Sequence, residues 1–430
     1  MKISWQDIPF SPRKCPFFYG WIIVFATTIG ILASIPGQTM GVGVFTESIS
    51  ASLGISRLDL TKAYFWGTLT SSLILPFAGR LLDKIGARFM IVISSMGLAL
   101  SLLIMSQVAK FTSGLTVFFT IAVMSFCFLL IRFFGQGCLT MTSRVTIGKW
   151  FNHYRGRAVA ISSVLTSFGF NSSPRFLNQI LDNFGLEGSY IFMAVCFGGA
   201  MAVIGWVFYR DTPEKCGLLM DGGEIVKAGI KDIMSESLKD FSRSEAVKTF
   251  SFWVLSMATG SFAMLSTAVV FHMEAIGDEF GATREVSYDV FLPMAIFSVV
   301  SSFAGSVLSD KVRFKWIVIA MMLGEFIGLL GLAVFGDNIG RIMMFSGFGI
   351  AGGLFATITV VGLPKFFGRK HLGAISGLNM SIMVFSSAVG PYLFSQLKVW
   401  AGSFRQVIPF VVLIPVVLLI SSMKLKNPQE

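Results

Sequence analysis

Two arginines, Arg132 and Arg175, fall inside apolar runs long enough to cross a bilayer. Inserting a guanidinium near the bilayer centre costs roughly 2.5–3.5 kcal/mol, so each should have a partner or face a wet cavity. Such a group can clasp a carboxylate through two parallel hydrogen bonds, which a lysine cannot do. Arg132 precedes Arg144 by twelve residues, about 18 Å of helix, which puts it near mid-membrane. Arg175 follows Pro174 and lies about 27 Å beyond Arg157, nearer the outer face, where snorkelling is the competing use.

Other residues could share that work. The stretch P-G-Q-T-M-G-V-G (36–43) breaks a helix, because proline removes an amide donor and the glycines relax the chain, so Gln38 and Thr39 become candidate ligands. Tyr64 is a candidate lining ring, although anchoring at the membrane surface is the commoner role for Tyr64 and Trp66. Proton coupling needs a titratable group whose exposure changes, and His272, Glu274, Asp289 and Glu325 are the candidates. Histidine titrates near physiological pH, and a carboxylate responds to desolvation. Each has a bland alternative: a hydrogen-bonded wall histidine, or a carboxylate held by packing.

The elements that must position these residues are membrane helices. With 54% hydrophobic and 13% charged residues, the chain is too apolar for a water-soluble protein of its length. Twelve spans are expected, near 18–44, 60–82, 88–108, 113–141, 157–181, 189–209, 251–276, 286–309, 315–335, 341–363, 371–398 and 405–423. If the chain starts inside, Arg57, Lys62, Lys110, Arg284, Arg341, Lys398 and Arg405 are outside, Arg132 and Arg175 lie in spans, and the rest of the 34 Lys and Arg are inside. Both termini are therefore expected to be cytoplasmic. The net charge of +11 reflects that topology, not a nucleic-acid partner. Residues 1–16 lack a small-residue cleavage site, so the first span should be retained.

Cys15, Cys127, Cys138, Cys196 and Cys216 show no metal-ligand spacing and should be free thiols. No phosphate loop, no nucleophile with a nearby base and no metal cluster stands out, so neither a cofactor nor enzymatic activity is expected. The two N-x-S sequons, at Asn171 and Asn379, lie in spans, which leans toward a bacterial inner membrane.

Residues 210–250 hold seven Lys or Arg and eight Asp or Glu and divide the spans six from six. The expected organisation is a cytoplasmic N-terminus (1–16), a six-helix bundle (17–209), a linker (210–250), a second bundle (251–423) and a short tail (424–430). Within the linker, 224–248 has the mix of an amphipathic surface helix. Laying 132–161 on 348–377 pairs Gly137 with Gly353, Lys149 with Lys365, Phe151 with Phe367 and Ala158 with Ala374. One residue of slip sets S-P-R-F (173–176) beside G-P-Y-L (390–393), so Tyr392 answers Arg175, and Phe348 answers Arg132. Such a duplication commonly serves transport.

A charged loop is also written twice, as G-R-L-L-D-K-I-G-A-R (79–88) and S-V-L-S-D-K-V-R (306–313). Gly79 permits close helix approach, and Asp83 and Asp310 can meet a helix N-terminus, where the dipole favours negative charge. Arg80, Lys84, Arg88 and Lys311 are the cations expected to take part in tying the halves together on the cytoplasmic side.

The first of these loops, together with I-R-F-F-G-Q-G (131–137), resembles the major facilitator superfamily. Within it, Y-G-W (19–21), P-G-Q-T (36–39) and K-W-F-N-H-Y-R-G-R-A (149–158) resemble the bacterial monocarboxylate and oxalate/formate transporter group. The resemblance implies an all-α membrane fold of two pseudo-symmetric six-helix bundles and transport by alternating access. It also implies a structural alternative for Arg132, hydrogen bonding to carbonyls around Pro36 and Gly37. The chain departs from the group where S-V-V-S-S-F-A-G (298–305) is uncharged and where 372–397 contains no lysine, so the usual C-terminal anion site is missing.

The expected function is secondary transport of a small carboxylate-bearing anion across the plasma membrane, coupled to protons. Arg132, and with it Arg175, would neutralise the substrate, and a monomer is the default for such a fold. The alternatives are proton-driven export of a larger amphipathic compound and a non-transporting sensor.

Overall fold

The computed structural model describes residues 5–222, 239–309 and 311–429, and among them the chain is helical without strands. Long apolar runs become helices because hydrocarbon offers backbone amides no other partners. Among the described residues, ten helices are long and apolar enough to cross a membrane. Those ten omit two of the expected runs. The second is the helix Arg57–Ile85, whose Ser, Thr and Arg content dilutes its hydropathy. The fifth is the first part of Arg155–Met193, which breaks at Gly185 with φ 65°.

The first run is interrupted where Pro36 stands. Gly20–Leu32 ends, Ile35–Gly37 forms a 3-10 turn, Gln38 is extended, and Thr39–Leu53 resumes. Three other helices loosen into π-helical turns without ending, at Arg132–Leu139, Ala194–Gly199 and Ile358–Gly362. By the repeat alignment the first of these would correspond to 348–355, so the duplicated helices are distorted at different depths.

The chain resolves into two compact units. The first comprises 1–158, 172–240 and 369–381, and the second 159–171, 241–368 and 382–430. In the first, Arg57–Ile85 packs along Val117–Ile131. In the second, Lys315–Ala333 packs along Asn338–Thr357 at a spacing only glycine allows, since a Cβ on Gly347 would meet the Gly328 Cα at 2.7 Å. Leu265, Phe335, Phe348, Phe394 and Phe404 fill its core.

All five cysteines are free. The amphipathic stretch expected at 224–248 falls largely outside the described residues. Its last part holds a short helix, Arg243–Ala246, opened by a Ser242–Glu245 capping box.

Candidate functional site

Arg132 opens a π-helical turn and is completely buried. Its Nη1 donates to the Gly37 carbonyl at 2.9 Å and approaches Thr39 Oγ1 at 3.5 Å. Its guanidinium carbon stands 5.2 Å from the centroid of the Tyr64 ring, where a cation is attracted to the ring face. Thr39 and Tyr64 share a hydroxyl contact of 3.0 Å. Gln38 donates to Ser34 at 3.0 Å and to Thr140 at 3.3 Å. Four residues singled out in the sequence, Gln38, Thr39, Tyr64 and Arg132, therefore form one cluster around the broken helix. Gly37 is required there, because a Cβ on it would lie 2.8 Å from the Gln136 nitrogen.

Gln136, one turn beyond Arg132, went unnoticed in the sequence. Among the described residues its buried side-chain oxygen finds no hydrogen-bond partner, and neither do the Thr68 and Ser71 hydroxyls on Arg57–Ile85 or that of Thr142. Unsatisfied groups of this kind are uncommon in native interiors. The sequence signal was present: Ser and Thr recur at 68, 70, 71 and 72 on a membrane helix.

Arg175 is exposed, and no partner for it is found among the described residues. Tyr392 is exposed and belongs to the second unit.

The four titratable candidates all lie in the second unit. The His272 ring nitrogen Nε2 is 3.0 Å from the Pro391 carbonyl and 3.3 Å from Ser395 Oγ, and the ring stacks on Phe394. Glu325 is completely buried. One of its carboxyl oxygens accepts from Ser261 at 2.8 Å and the other has no partner among the described residues. Ser261 and His272 share one helix but lie about 16 Å apart along it, so the two candidates are at different depths. Glu274 and Asp289 are exposed.

The loop motif builds a second cluster. Asp83 Oδ1 takes a salt bridge from Lys149 at 2.9 Å and a hydrogen bond from the Gly373 amide at 3.0 Å, and Oδ2 accepts from the Ala374 amide at 2.7 Å. The carboxylate thus caps the helix Leu372–Ala401, where amide dipoles favour a negative charge. Gly79 makes this approach possible, since a Cβ there would lie 2.8 Å from the Gly377 Cα. Arg369 completes the cluster by donating to the Lys149 carbonyl at 2.6 Å and to Glu214 at 2.9 Å. Asp240 accepts from the Arg369 and Lys370 amides. All of these residues belong to the first unit.

The remaining motif cations go elsewhere. Arg80 lies 4.6 Å from the Phe77 ring and Lys84 is exposed. Arg88 is buried and donates to the carbonyls of Trp206, Trp5 and Ile8, so it anchors the N-terminal segment and takes no part in the Asp83 cluster. Lys311 is exposed, and Asp310 lies outside the described residues.

A helical membrane chain with this loop cluster is matched over residues 23–391 by the family model described as Major Facilitator Superfamily. The chain belongs to that superfamily. It is a membrane transporter, not an enzyme. No curated protein matches it. Among solved structures, a major facilitator proton:xylose symporter, XylE, bound to 6-bromo-6-deoxy-D-glucose is 15% identical with a TM-score of 0.70, covering 95% of this chain and 96% of that one. A second major facilitator transporter, FucP, in its outward conformation is 14% identical with a TM-score of 0.68, covering 95% and 99%. At such identities the likeness carries the fold alone.

Proposed function

We propose that this transporter moves a small carboxylate-bearing organic anion by alternating access, coupled to protons. The topology proposed with it has twelve spans, both termini cytoplasmic, in a plasma membrane of the bacterial inner-membrane kind. The observation that supports the anion is Arg132: a full positive charge, wholly buried, set against a broken helix beside Thr39 and Tyr64. Substrate oxygens would share that guanidinium with the Gly37 carbonyl and take further hydrogen bonds from Thr39, Tyr64 and Gln38. Coupling to one proton would spare about 2.3 kcal/mol per charge per 100 mV for bringing an anion into a negative-inside cell. Glu325 and His272 are the groups proposed to carry it.

The Asp83 cluster is proposed as the conformational latch. While Asp83 holds Lys149 and the amides of Gly373 and Ala374, the start of Leu372–Ala401 stays bound to the first unit, and releasing it permits the other conformation.

The hydrogen bond from Arg132 to Gly37 favours a second reading, in which the arginine braces the broken helix and the protein exports an amphipathic compound. A thermal-shift screen of purified protein against carboxylates and amphipathic drugs, repeated with Arg132→Gln, separates the two. Stabilisation by one carboxylate class, lost in the variant, is the expected result. Shifts from apolar compounds alone would sink the carboxylate.

A further inference from the structure

At one end of the second unit, three separate segments enclose a cleft of about 530 Å³. The segment after the helix Phe291–Leu308 brings Lys311 and Arg313, with Lys315 opening the next helix, the short helix Leu363–Phe367 brings Lys365, and the tail after the last helix brings Lys424 and Lys426. Six cations converge, and every other lining residue among the described ones is neutral. Neither Lys311, Arg313, Lys424 nor Lys426 has an ion pair among the described residues, and all four are exposed. Gathering like charges is unfavourable unless an anion shares the space.

The cleft is built, not assembled from waving side chains. Its floor is the buried pair Phe314 and Phe366, with ring centroids 5.4 Å apart. The tail is pinned beside it by Ser251 donating to the Lys426 carbonyl at 2.5 Å and by Gln429 donating to the Phe366 carbonyl at 3.1 Å. Lys365 is held by its bond to the Ser309 carbonyl. Adjoining the cations is exposed apolar surface from Leu308, Val312, Trp316 and Met423. A soluble anion has no use for that surface, whereas a lipid's acyl chains would cover it.

We propose that this cleft binds the headgroup phosphate of an anionic phospholipid. Basic pockets at the membrane boundary suit such headgroups, each nearby cation adding a modest attraction. The leaflet is the cytoplasmic one if the topology proposed above holds, but binding itself does not depend on that reading.

The test is native mass spectrometry of the full-length protein in detergent, titrated with phosphatidylglycerol or with phosphatidylcholine of the same chains. Neutralising Lys311, Arg313, Lys424 and Lys426 to Gln should weaken phosphatidylglycerol binding by roughly tenfold or more. Neutralising Arg341, Lys398 and Arg405, which lie toward the other ends of this unit's helices, removes comparable charge away from the cleft and should change it less than about twofold, since screening limits long-range attraction. The charge-keeping variant Lys311→Arg, Lys424→Arg, Lys426→Arg should bind like the wild type. If the fourfold variant does not elute as folded protein, the pair Lys424→Gln and Lys426→Gln is read in its place. Equal loss in both neutralised variants, no loss in either, or full competition by inorganic phosphate would each overturn the proposal, the last by making the cleft a site for a soluble anion.

Discussion

Lys149 and Lys365 are counterparts in the internal repeat, yet they are used differently. Lys149 forms a largely buried ion pair with Asp83, a carboxylate that also caps a helix. Lys365 donates to a backbone carbonyl, that of Ser309. The charge difference runs through both halves: buried Arg132 answers to buried Phe348, while Glu325, a fully buried carboxyl inside an apolar run, is in the second unit. On the function proposed above, anion capture and proton handling would be divided between the two copies of the repeat.

The sharpest way to break that division is Arg132→Gln. Truncating one member of a buried, hydrogen-bonded charge pair costs about 2–5 kcal/mol, so the dissociation constant for the stabilising carboxylate should rise at least ~30-fold by calorimetry. A change under about threefold would put the anion site elsewhere. Next is Asp83→Asn, which removes an ion pair and weakens two amide caps. Transport in proteoliposomes should fall about tenfold while carboxylate affinity shifts less than about twofold, because a latch acts on the conformational balance. Parallel loss of affinity would make it part of the binding site.

Gly79→Ala should lower stability by about 1–3 kcal/mol, as overpacking does, seen as a reduced melting temperature, and unchanged melting would mean the contact with Gly377 is not maintained. Smallest is the contrast between the lysines. Lys149→Met leaves Asp83 partly buried without its cation and should cost more stability than Lys365→Met, which frees only a carbonyl. The reverse order in thermal melts would contradict the asymmetry.

Much of this layout is legible from residues alone, for local reasons. Pro36 and its flanking glycines announce the broken helix, and counting helical rise puts Arg132 near mid-membrane. That Asp83 would meet a helix N-terminus follows from charge and dipole. That its partners are the Gly373 and Ala374 amides, 290 and 291 positions away, does not, because long-range pairing leaves no periodic trace. Arg88 shows the opposite failure. Its place in the motif suggests a gating cation, but the carbonyls of Trp5 and Ile8 claim it. Gln136 reads as one more polar residue in a glycine-rich turn until its oxygen is found without a donor.

The N-terminal segment carries a consequence for synthesis. Its carbonyls at Trp5, Gln6, Ile8 and Phe10 are received by Arg88 and Arg210, and Arg210 stands 204 positions after Gln6. At about 5–20 residues per second, the ribosome takes roughly 10–40 s to deliver that arginine. Residues 5–10 are thus among the last of their bundle to settle, and through that interval they remain open to whatever waits at the mouth of the exit tunnel.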